Sequence, residues 1–367
     1  MTIALLLDPV DVLFCRDGRP IVPGEGSAAG ASLPLPQVLT GAIRTALLKQ
    51  RGALNGINAT PEALARILAE VAVRGPLIFD HKTQRPLIPC PADLVGVDKA
   101  KHGAASVERF LRLAPLISSD LPGWSECRPK QTPCLRPLWN LEATRTRDQT
   151  ARLRAWHTQP GWLTWSGFLA WVAGGTPAPT DHVPAKEIFD SESRTQVGMD
   201  TGTNIAAESV LFTTRYLRMQ PRFGLYAEID GADDLVASSV LALTLGGDRR
   251  LCVGRKTTPV SWPTRPPGPA VCLALTPTIL PERGATWPTE LSSHLAGCGV
   301  LGSDAISGWD LAKNSGLGQP KPTRYACRSG SVWHLTTGTT PPPRLGSDQA
   351  LGFGWLAHGT WFDPHAP

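Results

Sequence analysis

The chain has 367 residues, with 36 lysines and arginines against 31 aspartates and glutamates, a formal charge of +5. Its 36 glycines and 35 prolines make it loop-rich but fall short of low-complexity disorder, and so mild a basicity permits an acidic partner without demanding one. The length points to two domains, or to one domain with long insertions.

Eight scattered cysteines include no C-x-x-C pair, which argues against a zinc site and fits a reducing compartment. The stretch "MTIALLLDPVDVLF" carries no basic leader, and Asp8, Pro9 and Asp11 break its apolar run. Neither a signal peptide nor a membrane span is expected, and the protein reads as soluble and cytoplasmic.

Residues 10–14 alternate, with Val10, Val12 and Phe14 on one side, which predicts a strand. It runs into a tight turn holding Arg16, Gly18 and Arg19, followed by small residues up to position 31. Beyond them Val38, Leu39, Ala42, Ile43, Ala46 and Leu47 fall at helical spacing, with Pro36 suited to a first helical position and Arg44 off the apolar stripe. A second helix is predicted from Thr60, with Pro61 first and Leu64, Ile67, Leu68 and Val71 inward.

Residues 75–185 show little periodicity, and within them only "GWLTWSGFLAWVAGG" reads as a helix. Seven lysines and arginines between 128 and 154 stand against Glu142 and Asp148, a pattern that also suits a merely solvated face. The polar stretch "ESRTQVGMDTGTNIAAES" (192–209) suits a mobile loop or a projecting ribbon with Arg194 near its base. Two alternating runs, 210–219 and 225–230, predict a hairpin with Phe212, Tyr216 and Arg218 on one face. A helix is expected from Asp233 or Asp234 through Leu243, stopped by Gly246-Gly247, and then the strand "RLCVGR".

Strand, helix, insertion, strand, strand, helix, strand is the βαββαβ order of ferredoxin-like and RRM-like folds. The segment "SWPTRPPGP" (261–269) reads as a linker. Strand-like "AVCLALTPTIL", "GSVWHLTT" and "GFGWLAHGTW" follow, an abbreviated second copy of the unit. The expectation is therefore α+β: one ferredoxin-like domain over 1–260 with an insertion at about 75–185, and another over 270–367.

The candidate chemistry is anion binding. Amides of a glycine-rich loop beside a helix N-terminus, rimmed by Arg16 and Arg19, would cradle a phosphate, although Asp17-Gly18 also makes an ordinary turn. No Gly-Lys-Ser/Thr follows, so this is not a phosphate loop. In "LGGDRR" the expected helix end places Arg249 and Arg250 together, where the dipole favours cations and a phosphate can reach them. The eight histidines fall in no metal spacing, no Gly-x-Ser-x-Gly occurs, and residues 10–80 hold no histidine to act as a general base. No catalytic residue, metal or cofactor is assigned.

Read together, these stretches resemble a known family. "LLLDPVDVLFCRDGRPIVPG" followed by "LPLPQVLTGAIRTALL" is similar to the N-terminus of the third subunit of the type III-B CRISPR effector, the Cmr complex. "ESRTQVGMD…ESVLFTTRYLRM" resembles that family's E-x-R-V-G-I segment and the strand after it, and "LGGDRRLCV" its L-G-G-E-x-R turn. "TRYACRSGSVWHL" resembles a later strand, and "GFGWLAHG" the glycine-rich loop of the wider RAMP superfamily, with Gly352, Gly354 and Gly359. Cys15 stands where the family shows an aromatic residue, and Thr195-Gln196 lengthens the E-x-R-V-G-I segment.

The resemblance implies a non-catalytic RNA-binding subunit that holds the 5′ repeat-derived tag of the CRISPR RNA. It also implies docking on the large polymerase-like subunit beside the backbone RAMP subunits. Carried to matching positions, Arg16, Gly18, Arg19 and Arg44 form the cradle. Arg249 and Arg250 flank it, and Arg194, Arg215 and Arg218 add contacts. The alternative is a repeat-cleaving endoribonuclease of the same superfamily.

Overall fold

Strand β1 (Thr2–Pro9) buries Ile3, Leu5 and Leu7 in one core while Ala4 and Leu6 face a second. A strand covered on both faces shows an unbroken apolar run and no alternation, so the alternating stretch at 10–14 is not the principal strand. Only a short β2 (Val12–Leu13) lies there. These elements come from a computed structural model that describes residues 2–15, 32–53, 65–66, 68–98, 107–115, 138–139, 157–158, 160–199, 202–203, 205–235, 240–281, 285, 287–310 and 318–362.

Helix α1 (Pro36–Gln50) opens at Pro36 as its spacing predicts and lays Leu39, Ile43 and Leu47, each fully buried, against the first core. Each such side chain stabilises by about 2 kcal/mol. Of the expected second helix, only residues 65–66 are described as helical. Thr60, Pro61, Leu64 and Ile67 lie outside the described residues.

The stretch without periodicity contains ordered strands. β3 (Ala72–Asp80) and β4 (Arg85–Pro89) pair antiparallel through Ile78↔Leu87. β3 again serves both cores, Val73 and Ile78 in the first and Leu77 and Phe79 in the second, which hides its period from view. β5 (Leu94–Asp98) and β6 (Val107–Arg112) pair beside it. Next come β7 (Trp162–Leu163), α2 (Trp165–Val172) and β8 (His182–Val183). Thr164 caps α2 by accepting from the Gly167 amide at 3.3 Å.

β9 (Phe189–Met199) and β10 (Ala206–Met219) form a long antiparallel ribbon, the second of the two readings of 192–209. β11 (Phe223–Asp230) does not pair with β10 as a hairpin. β10 spends its edges on β9 and β2, and β11 inserts between β1 and β3. The helix expected from Asp233 or Asp234 through Leu243 is absent from its described part. Residues 236–239 are not described, and β12 (Leu241–Thr244) pairs with β13 (Leu251–Thr257). Leu243 and Leu245 are buried two residues apart, a strand period that the unpaired edge of β13 selects.

The main sheet thus runs β8-β7-β4-β3-β11-β1-β13-β12. Residues 258–269 carry no helix or strand, yet the Trp262 indole donates to the buried Glu228 Oε1 at 2.8 Å. β14 (Ala270–Ala274), β15 (Leu295–Gly299), β16 (Val332–Leu335) and β17 (Leu356–Thr360) form a second antiparallel sheet ordered β15-β16-β14-β17. Between the sheets lies the second core, including Phe168 and Trp171 of α2, Tyr226, Trp355 and Trp361. The class is α+β, mostly antiparallel with few helices.

Candidate nucleic-acid interface

Leu13 and Val12 of β2 pair with Leu217 and Arg218 of β10, fastening the N-terminal strand to the base of the ribbon. The β period then puts Glu192 and Arg194 of β9 on one face with Tyr216 and Arg218 of β10. Tyr216 is fully buried, with the Phe14 ring centroid 4.8 Å from its own. The guanidinium carbons of Arg194 and Arg250 lie 4.9 and 4.8 Å from the Tyr216 centroid, within cation–π range. Backbone carbonyl Phe14 O accepts from Gly247 N at 2.7 Å, so the turn carrying Asp248, Arg249 and Arg250 closes against the same ring.

Three carboxylates meet the three arginines. Asp11 lies 2.9 Å from Arg218, 3.5 Å from Arg194 and 3.8 Å from Arg250. Glu192 takes Arg194 at 2.6 Å and Arg218 at 2.7 Å, and Asp248 takes Arg250 at 3.4 Å. Desolvation pushes the Asp11 carboxyl up, but hydrogen bonds from Arg218 and the Val12 amide and the charges of Arg218 and Arg194 hold it below its usual range. Hydrogen bonds from Arg218, then Arg194, do the same for Glu192. The cluster is electrically balanced and partly exposed. Its guanidiniums are pre-aimed, and phosphate oxygens could replace the carboxylates as partners.

Of the sequence-predicted residues, the structure brings Arg194, Arg218 and Arg250 together. Arg249 stands beside them, exposed and at φ 48°, and Arg215 points from the opposite ribbon face across from Ser193. Arg249 and Arg250 follow a strand and not a helix, so no helix dipole acts on them. Arg44 is half-buried and donates to the Val71 carbonyl at 3.0 Å. Arg16, Gly18 and Arg19 lie outside the described residues, as does the basic stretch 128–154 apart from residues 138–139.

The start of α1 packs against the C-terminal part of the chain, and the loop at 16–31 that would complete the expected amide cradle lies outside the described residues. Leu35 joins a small core with Leu351 and Phe353, and Thr40 Oγ1 donates to the Leu351 carbonyl at 2.8 Å. The glycine-rich loop supplies that cover. Gly352, at φ 96°, leaves a Cβ only 3.0 Å from the Gly75 carbonyl, and Gly354, at φ 67°, only 1.8 Å from the Leu345 carbonyl. Gly359 lies in β17 against the Trp171 ring.

Sequence reasoning missed the acidic half of the cluster. Asp11 counted only as a break in an apolar run, and Glu192 only as a letter of a motif. It also missed His81, one position beyond the stretch searched for a base: Nε2 lies 2.8 Å from Asp8 Oδ1. Among the described residues no helix is long and apolar enough to cross a membrane.

Solved structures with this fold include a chain of the "Type III-B Cmr-beta bound to cognate target RNA and AMPPnP, state 1" at TM-score 0.50 and 15% identity, covering 90% of this chain and 86% of that one. A chain of the Cmr-beta assembly bound to cognate target RNA gives 0.49 at 15% identity, over 90% and 86%. A chain of the "Csm1-Csm4 cassette in complex with AMPPNP" gives 0.41 at 12%, over 100% and 99%. A search of curated proteins found no match. The sequence places the chain among CRISPR-associated proteins. Residues 5–361 match the family described as CRISPR-associated protein (Cas_Cmr3), and the chain belongs to that family, the third subunit of the type III-B effector.

Proposed function

We propose that this protein is a non-catalytic RNA-binding subunit of a cytoplasmic type III-B effector. It holds the 5′ repeat-derived tag of the CRISPR RNA and docks the large polymerase-like subunit beside the backbone RAMP subunits. One observation carries the reading: Arg194, Arg218 and Arg250 are held around the buried Tyr216 by carboxylates that a phosphate can displace. Single-stranded RNA is bound through such fixed cations, and the fit of its backbone needs no proton transfer.

The strand orders support two ferredoxin-like units. β13-β1-β11-β3 follows the spatial order fourth, first, third, second of a βαββαβ unit, all antiparallel. β17-β14-β16-β15 repeats that order, with short 3₁₀ turns at 289–294 and 349–351 where helices would stand.

The test is an electrophoretic assay of the reconstituted complex with a tagged CRISPR RNA, comparing wild type with Arg194→Ala/Arg218→Ala/Arg250→Ala. Weaker tag binding with the subunit still folded is expected. Unchanged binding would remove the site.

A further inference from the structure

At the other end of this strand corner lies a second polar constellation. Asp8 is on β1, Arg255 on β13 and His81 directly after β3, with β11 passing between β1 and β3. Asp8 Oδ1 contacts His81 Nε2 at 2.8 Å, and its second oxygen accepts from Arg255 Nη1. Gly224 of β11 makes the approach possible. A Cβ there would sit 2.7 Å from Asp8 Oδ1 and 2.9 Å from His81 Nε2. The His81 amide donates to the Arg222 carbonyl at 2.9 Å, and its ring packs edge-on against Phe79 at 5.5 Å. Backbone, ring and Nε2 are therefore all held.

The chemistry of the free nitrogen follows. An ionised carboxylate only accepts, so Nε2 carries the proton, and in the neutral ring Nδ1 presents a lone pair. Nδ1 has no partner among the described residues, and the side chain is 29% exposed. Beside it the Arg255 side chain is 55% exposed and cationic. A lone-pair acceptor next to an exposed guanidinium suits a ligand that offers a hydroxyl donor and a phosphate together.

We propose that His81 and Arg255 form a ribose-phosphate subsite, in which His81 Nδ1 accepts the 2′-hydroxyl of one nucleotide and Arg255 contacts a neighbouring phosphate. The proposal rests on the RNA-binding function above and adds to it the group that tells RNA from DNA. The subsite and the arginine cluster are joined along the chain by a short segment. Asp8 and Asp11 are three residues apart, a span of at most about 10 Å of chain. Between them the Val10 amide donates to the Leu251 carbonyl, and Leu251 adjoins Arg250.

The experiment measures binding of the full-length chain, at low salt, to one fluorescein-labelled single-stranded sequence as RNA, 2′-O-methyl RNA and DNA. Wild type should bind RNA about fivefold more tightly than 2′-O-methyl RNA, the effect of one hydrogen bond. His81→Phe, which keeps the ring, should erase that ratio and leave DNA affinity unchanged. Arg255→Ala should weaken RNA and DNA equally. A wild-type chain that does not distinguish RNA from 2′-O-methyl RNA, or a His81→Phe chain that still does, overturns the subsite while leaving RNA binding standing. A wild-type chain that binds none of the three overturns both.

Discussion

The Tyr216 hydroxyl donates to Asp248 Oδ2 at 2.8 Å, joining the C-terminal end of β10 to the turn before β13 across 32 residues of sequence. This bond, with the Phe14 ring, holds Arg194 and Arg250 against one aromatic face or its rim. The position of the arginines therefore depends on tertiary closure of the ribbon base.

Tyr216→Phe should cost about 1–2 kcal/mol, the net worth of the two hydrogen bonds that its hydroxyl makes with Asp248 and Gln196, because both partners can turn to water. Tyr216→Ala should cost about 3–5 kcal/mol by opening a cavity. Urea titration of the purified chain measures both, and equal stabilities for the two variants would contradict the packing role.

Because carboxylates balance the cluster, removing one should favour a polyanion. Asp11→Asn should raise RNA affinity severalfold, whereas Arg218→Ala should lower it and reduce the slope of log affinity against log salt by about one. Fluorescence titration at several salt concentrations reads both. A fall in affinity for Asp11→Asn would mean that Asp11 positions the arginines more than it masks them.

Asp93 is fully buried between the halves of the molecule. It accepts from Trp171 Nε1 at 2.9 Å and lies 3.3 Å from Arg112 Nε, while Arg112 donates to the Trp171 carbonyl at 2.7 Å and the Thr360 carbonyl at 3.0 Å. Desolvation pushes the Asp93 carboxyl up, but the Arg112 charge and bonds from its neighbours hold it below the usual range. Asp93→Ala strands a buried guanidinium and should cost about 3–5 kcal/mol. Denaturant unfolding measures that loss.

His334 lies 3.5 Å from Asp93 and is fully buried, and burial, only partly opposed by Asp93, pushes its pKa below the ordinary 6.5. Burial acts likewise on His182 and His358. The unfolded chain then binds more protons than the folded one below about pH 6.5, so stability is full above that pH and falls as pH drops toward the folded pKa values. Melting temperature should decline from about pH 6.5 to pH 5, and His334→Gln should flatten the decline. A pH series of thermal melts decides it.

Much of the chain's local order is legible in its residues. The α1 stripe, the helix within 161–175, and the strands at 270–274, 332–335 and 356–360 need only neighbours along the chain to be recognised. The misreadings share a cause. β1 and β3 are packed on both faces and lose their alternation, and the leucines of 241–245 satisfy a helical period until β13 offers an open edge.

Family membership, the α+β class and the arginines worth watching follow from residue types and their order alone. Which of those arginines meet is set by the tertiary fold. Arg194, Arg218 and Arg250 converge because β2 closes the base of the ribbon and Asp11, Glu192 and Asp248 draw the guanidiniums together, whereas Arg44 turns to the Val71 carbonyl. Charges brought together from positions 11 to 250 interact through space, and no local pattern along the chain encodes that distance.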